Sequence, residues 1–217
     1  MKYTNMQDII SKIKHYLFAI NAENVKEWKI ELTYRADFIR QFIEPIVYLL
    51  PYFLYGMALS GGRVSKYLGK LTGVSDLISY IFVGYVLMGF IGTACWAMGF
   101  SIRKEQWYGT LETVFMAPVP RWVYIAGMAL HSTLHQGIIV LFQAIIISLF
   151  FKIVIKISFI GLLVPLLIII FMLLGLYGLG ILIAGLTIIV KQGYLVAEAF
   201  YTLITCLLYT SDAADEG

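Results

Sequence analysis

Charge is scarce in this sequence: Asp, Glu, Lys and Arg make up 13% of its 217 residues, against about a quarter in an ordinary soluble domain. That scarcity excludes a soluble globular chain, and a hydrophobic content of 60% excludes disorder. Cysteine is nearly missing. Cys95 sits inside an apolar run and Cys206 near the end, so there is no disulfide framework and no redox compartment to infer. A cleavable signal peptide is missing too, because Lys12 and Lys14 interrupt the apolar positions before Asn21 and the longest clean run, Tyr16 to Ile20, is too short. The first spanning helix is therefore expected to act as its own targeting signal. No P-loop is present: in the one Gly-Lys pair, Gly69 and Lys70, Val64 stands where the first glycine belongs and Leu71 where the hydroxyl residue belongs. Any ATP must be bound elsewhere.

What the sequence does have is long apolar stretches. A span needs about 20 mostly apolar residues to cross about 30 Å of hydrocarbon. Four candidates meet this: 42–59, with Glu44 at its start and Pro45 and Pro51 inside; 77–100, free of charge; 122–151, which carries His131, His135, Gln136 and Gln143; and 159–190, with Pro165 and glycines at 175, 178, 180 and 185. A fifth run begins at Tyr194, carries Glu198 and ends near Thr205. At about 1.5 Å per residue it is too short to cross. The expected fold class is an all-α polytopic transmembrane bundle with four full spans, a truncated fifth and an N-terminal interfacial helix.

Basic residues near the spans divide unevenly. Lys26, Lys29, Arg35, Arg40, Arg103, Lys104, Arg121 and Lys191 fall on one side, and Arg63, Lys66, Lys70, Lys152 and Lys156 on the other. The excess of eight over five, with Lys2, Lys12 and Lys14 in the tail, puts the N-terminus in the cytoplasm. These residues set topology rather than bind nucleic acid. Before the first span, Met6, Ile9, Ile10, Ile13, Leu17 and Ile20 recur at helical spacing around Lys12, Lys14 and His15, the pattern of a helix lying in the membrane interface. Asn24 with Glu27 three residues on predicts a capping box and a second helix carrying Trp28, Leu32, Arg35 and Ile39 toward the bilayer. Such a region either steadies the first span or docks a partner.

One polar segment is specific enough to carry function: 101–121, SIRKEQWYGTLETVFMAPVPR. Gly109 can take a positive φ and break the extension of the second span, and Thr110 can cap a new turn. Leu111, Val114 and Phe115 then share one face, Pro118 and Pro120 stop the helix, and Glu105 and Glu112 stand ready to pair with basic groups. A short amphipathic helix on a tight loop suits insertion into a groove on another protein.

Here the sequence resembles the permease subunits of ABC transporters of the type-2, exporter class. Their motif is a Glu several residues before Gly-Thr-Leu-Glu, then a short helix and a Pro; the matching residues are Glu105, Gly109, Thr110, Leu111, Glu112 and Pro118. The similarity extends to the N-terminal helix, the span spacing and the EPIVYLLPYFLYG region of the first span. It implies a permease that is no enzyme by itself, in a cytoplasmic (inner) membrane, whose segment 101–121 is a coupling helix seated in an ABC ATP-binding subunit. ATP and Mg would sit on that partner, no cofactor or metal on this chain, and a second permease copy would complete the path. The family has six spans and moves drugs, lipids, polysaccharides and peptides. Cys206 to Glu216, by contrast, resembles the in-frame translation of a transposon adapter used in sequencing libraries. The expectation is a membrane domain over 1–205, a non-native tail over 206–217, and a natural chain that continues.

The polar residues of the third span leave alternatives open. His131 and His135, four apart, could hold a metal between two imidazoles, which would make the chain a membrane metalloenzyme. With Gln136 and Gln143 they could instead form a stripe that hydrogen-bonds between helices or touches substrate. Gly84, Gly89 and Gly92 read as a close-packing surface of the second span. A non-catalytic membrane scaffold is the remaining alternative.

Overall fold

The computed structural model describes residues 6–151, 159–190 and 193–214, and among them the chain is all-α. In chain order the helices are α1 (Met6–Thr33), α2 (Arg35–Ser60), α3 (Lys66–Thr72), α4 (Leu77–Gly92), α5 (Ser101–Tyr108), α6 (Leu111–Phe115), α7 (Arg121–Phe151), α8 (Phe159–Val190) and α9 (Gly193–Ala214). A π-helical turn, Thr93–Met98, prolongs α4. Arg35–Ser60, Leu77–Met98, Arg121–Phe151 and Leu167–Thr187 are long and apolar enough to cross a membrane. They fall on the four stretches read from the sequence. Large apolar side chains such as Leu59, Phe150 and Phe171 stand exposed on them, as lipid-facing positions do in a helix whose backbone hydrogen bonds are satisfied internally. This is the build of a multi-pass membrane protein.

One expectation needs correction. The N-terminal region is one helix rather than two, and Asn24 lies buried in the middle of α1, so it caps nothing. Trp28 packs its ring against His131 and His135. The last apolar run, Tyr194–Leu207, is shorter than a span, as expected, although the helix α9 itself continues to Ala214. Lys152, Lys156 and Lys191, counted above for topology, lie outside the described residues.

The chain forms two compact units, one drawn from the described residues of 1–30, 91–135 and 157–217, the other from those of 31–90 and 136–156. In the second unit, Leu49, Phe53, Ile78 and Ile147 form a buried cluster beneath Met57, Ile81 and Phe151. Arg63 donates to the Asp76 carboxylate at 2.7 Å and to the carbonyl of Phe151 at 2.6 Å, which satisfies one of the free carbonyls at the end of α7. Burial pushes the Asp76 carboxyl up, but hydrogen bonds from Arg63 and Ser79 and the Arg63 charge outweigh it and leave the group below its ordinary pKa. Gly69 and Lys70 lie inside α3, which Ser65 caps, so the Gly-Lys pair is helix and not a phosphate loop. Gly89 is covered by the side chain of Gln136, while Gly84 meets nothing within 4 Å among the described residues. The packing surface expected of the second-span glycines thus narrows, in this unit, to one position.

In the first unit α8 packs closely on the π-helical turn. A Cβ at Gly180 would come within 3.0 Å of the Met98 Cβ and 3.1 Å of the Ala94 carbonyl, and one at Gly99 would collide with Ile183 and the Cys95 carbonyl. The Thr187 hydroxyl donates to the Ala184 carbonyl of its own helix at 2.8 Å and lies 3.4 Å from the Gly99 carbonyl. Such small-residue contacts let helix backbones approach where lipid offers no hydrophobic drive. Gly180→Leu is expected to overpack this contact and destabilise the protein by about 1–3 kcal/mol, read as a lower unfolding temperature in detergent, with Gly175→Leu, whose surroundings are open among the described residues, as the silent comparison.

Candidate functional site

The segment between the second and third spans is built by two local devices. Gly109, at φ 70°, ends α5 in the left-handed conformation, and its N–H reaches the Gln106 carbonyl while that of Thr110 reaches the Glu105 carbonyl at 3.0 Å. This paired termination needs a residue without a Cβ penalty at that position. Thr110 stands at the start of α6 but does not cap it: its side chain donates back to the Glu105 carboxylate instead. After α6, Pro118 and Pro120 turn the chain into α7.

The faces of α6 are turned differently from expectation. Leu111 and Val114 lean on a buried cluster of Ile102, Tyr124, Met128 and Ala184 within their own unit. Phe115 is half-buried, with the Arg121 guanidinium over its ring at 4.9 Å. Leu111, Val114 and Phe115 are thus each partly covered by their own chain. The outward side carries Trp107 (67% exposed), Tyr108, Glu112, Met116 (85% exposed) and Pro118. Trp107 is braced edge-on against Phe100, centroids 4.9 Å apart.

Under this segment lies an ion cluster that joins α5 to α1. The Lys26 Nζ is 2.8 Å from Glu105 Oε1, 2.6 Å from Glu23 Oε1 and 3.4 Å from Glu27 Oε1. The Lys104 Nζ is 2.5 Å from Glu27 Oε2. From α7 the Tyr124 hydroxyl donates to the Ser101 carbonyl at 3.1 Å and lies 3.4 Å from Glu105 Oε1, and Lys26 stands over the Tyr124 ring at 5.4 Å. Glu27 and Glu105 are buried. Burial pushes the Glu105 carboxyl up, yet hydrogen bonds from Lys26 and Thr110 and the charges of Lys26 and Lys104 prevail and hold it below its ordinary value. For Lys26 burial pulls the other way, and its bonds to Glu105 and Glu23 leave it raised. By the sign of these shifts the Lys26–Glu105 pair stabilises the fold at neutral pH. That contribution is lost as pH falls through the lowered Glu105 pKa, and lost again as pH rises through the raised Lys26 pKa.

Oxygens of Glu23, Glu27 and Glu105 lie within 4.8 Å of one another, a spacing at which a metal could be held. The Lys26 ammonium already bonds into that group and supplies the positive charge. Of these residues Glu105 was legible as an ion-pairing group, Glu27 only as a capping residue, and Lys26 and Lys104 only as topology-setting charges. Glu23 and Tyr124 were missed. The signal was Glu23, Lys26 and Glu27 at one-turn spacing beside a span, opposite a Lys104–Glu105 pair.

The polar residues of the third span lie apart from this cluster. His131 and His135 are buried, their rings stacked at 6.0 Å with 17° between planes, and Trp28 packs against both, at 4.9 Å and 5.7 Å. Among the described residues no third His, Cys, Asp or Glu joins them in a ligand group. Gln143 is buried, and Gln136 covers Gly89. Compared with protein-family models, with curated proteins and with solved structures, the chain matches none.

Proposed function

We propose that this chain is the membrane subunit of an ATP-driven exporter of the ABC type-2 class, with its N-terminus in the cytoplasm and residues 101–121 docking on a separate ATP-binding subunit. The reading rests on one observation above the others. Between two spans stands a short, pinned segment whose apolar underside is used internally and whose outward side presents Trp107, Tyr108, Glu112, Met116 and Pro118. Aromatic side chains and methionine on a rigid protrusion are what an interface core is made of. Glu105, Gly109, Thr110, Leu111 and Val114 hold its shape rather than touch the partner. Closure of an ATPase pair would push on α6; the load passes through α5 into the second span and through Arg121 into the third. ATP and Mg belong to the partner, and two permease copies enclose the path. The excess of basic residues near the spans favours this face inside, and the inner membrane follows from the resemblance to the exporter class.

The test is a single cysteine at Met116 in the chain co-expressed with the ABC ATPase encoded beside it. A short crosslinker is expected to join the two in membranes, and transport of the exported compound to require that ATPase. A gene neighbourhood with no such ATPase, or its co-expression without crosslinking, overturns the reading. The orientation has its own check. A cysteine at Lys66 should react with an impermeant reagent in intact cells and one at Thr113 should not, and the reverse pattern would invert the topology.

A further inference from the structure

The cluster beneath the segment has an unbalanced charge. Three carboxylates, Glu23, Glu27 and Glu105, face two ammonium groups, Lys26 and Lys104, in a largely buried space. One negative charge is left over. The three carboxylates are not equally served. Glu105 accepts from Lys26, Thr110 and Tyr124, and Glu27 from Lys104 with Lys26 nearby. Among the described residues Glu23 pairs with Lys26, which it shares with both others, and its aliphatic part is pressed against Gly127 of α7. The titratable and charged groups around it are Lys26 and Glu27 from α1, Lys104 and Glu105 from α5, and Tyr124 from α7. Like charges crowded in a desolvated site resolve the excess by binding a proton on the member with fewest donors.

We propose that Glu23, Lys26, Glu27, Lys104 and Glu105 form a proton-linked clasp, in which one proton carried by Glu23 sets how firmly α1 holds segment 101–121. Burial, and after it the neighbouring Glu27 and Glu105, push the Glu23 carboxyl above its ordinary value against the pull of Lys26. The closed clasp therefore binds this proton better than the open one. Its advantage is largest on the acidic side and fades as pH rises through the raised Glu23 value. On further acidification Glu105, whose pKa is lowered, takes up a proton and the clasp fails for a different reason. The clasp lies within the chain and needs no ATPase at the outward face.

Hydrogen exchange of backbone amides in α5 and α6, on the full chain in lipid nanodiscs, tests it. Measured from about pH 5 to about pH 8 and corrected for intrinsic exchange, protection in the wild type is expected to fall as pH rises through the raised Glu23 value, by at most about tenfold per pH unit for one linked proton. Glu23→Gln, a neutral side chain of the same shape, should hold the protected level across the range. Lys26→Gln, which removes the charge opposing protonation, should move the wild-type midpoint to higher pH. A wild-type profile that is flat over the range overturns the proposal, as does a Glu23→Gln variant that keeps the wild-type slope. Should Glu23→Gln not fold, the direction of the Lys26→Gln midpoint decides, and a midpoint that stays in place or moves down is a failure.

Discussion

Lys104→Leu is expected to cost about 3–5 kcal/mol of stability, the range for removing one partner of a buried ion pair. The cause is what it leaves behind. Glu27 is 1% exposed, and without the Lys104 ammonium at 2.5 Å its nearest cation is Lys26 at 3.4 Å, already bonded to Glu23 and Glu105. A carboxylate in that position is left charged without adequate solvation, which costs folding free energy. The double variant Lys104→Leu/Glu27→Leu should recover most of the loss, because an apolar pair of similar volume needs no desolvation of charge. Arg40→Leu makes the comparison. Arg40 pairs with Asp37 and Glu44 as an exposed network on α2, where solvent screens the charges and no comparable loss is expected. Denaturant or thermal unfolding in one detergent ranks the three variants. Equal losses for Lys104→Leu and Arg40→Leu would show that the cluster is no more than surface decoration.

The four spans were legible because span length and lack of charge are one-dimensional properties, and the helices long and apolar enough to cross fall on the stretches that composition marks out. Segment 101–121 was legible in its backbone. The punctuation of Gly109 and of Pro118 with Pro120 acts locally, and α5, the left-handed glycine and α6 fall where those residues dictate. The direction in which α6 faces was not legible. Leu111 and Val114 make an apolar face whatever they pack against, and only tertiary structure shows Ile102, Tyr124, Met128 and Ala184 in the place of a partner. The ion cluster was hidden for the same reason. Lys26 and Glu105 are 79 residues apart in sequence, and the sequence offered Asn24 and Glu27 a plausible local role as a capping box. That local role lost to a long-range one. Inside a continuous helix Asn24 has no free N-terminus to cap, and Glu27 gains more from the Lys104 ammonium than from a backbone N–H.

If residues 101–121 dock an ATP-binding subunit, as proposed, Trp107→Ala is expected to weaken its recruitment by about 2 kcal/mol or more, roughly 30-fold in affinity, with the unfolding temperature unchanged. The two halves of that expectation come from one orientation. Trp107 is 67% exposed and Met116 85% exposed, so truncating either removes little packing within the chain. Trp107 is also held by Phe100 edge-on, so it meets a partner already ordered and loses little rotamer freedom on docking. Met116→Glu should act in the same direction by setting a charge in the middle of the contact. Leu111→Ala and Val114→Ala should behave in the opposite way. Each removes packing from the cluster of Ile102, Tyr124, Met128 and Ala184, costing about 1–2 kcal/mol of stability for a half-buried aliphatic side chain. Gly109→Val belongs with this second pair, since a β-branched residue at φ 70° strains the turn itself. Co-purification of the ATPase and thermal unfolding, run on the same preparations, separate the two groups. If Leu111→Ala abolishes ATPase binding at full stability while Trp107→Ala and Met116→Glu bind normally, the docking surface is the inward face and α6 must turn over to use it. If none of the five changes ATPase binding, residues 101–121 connect two spans and do nothing more, and the transporter reading loses the observation it stands on.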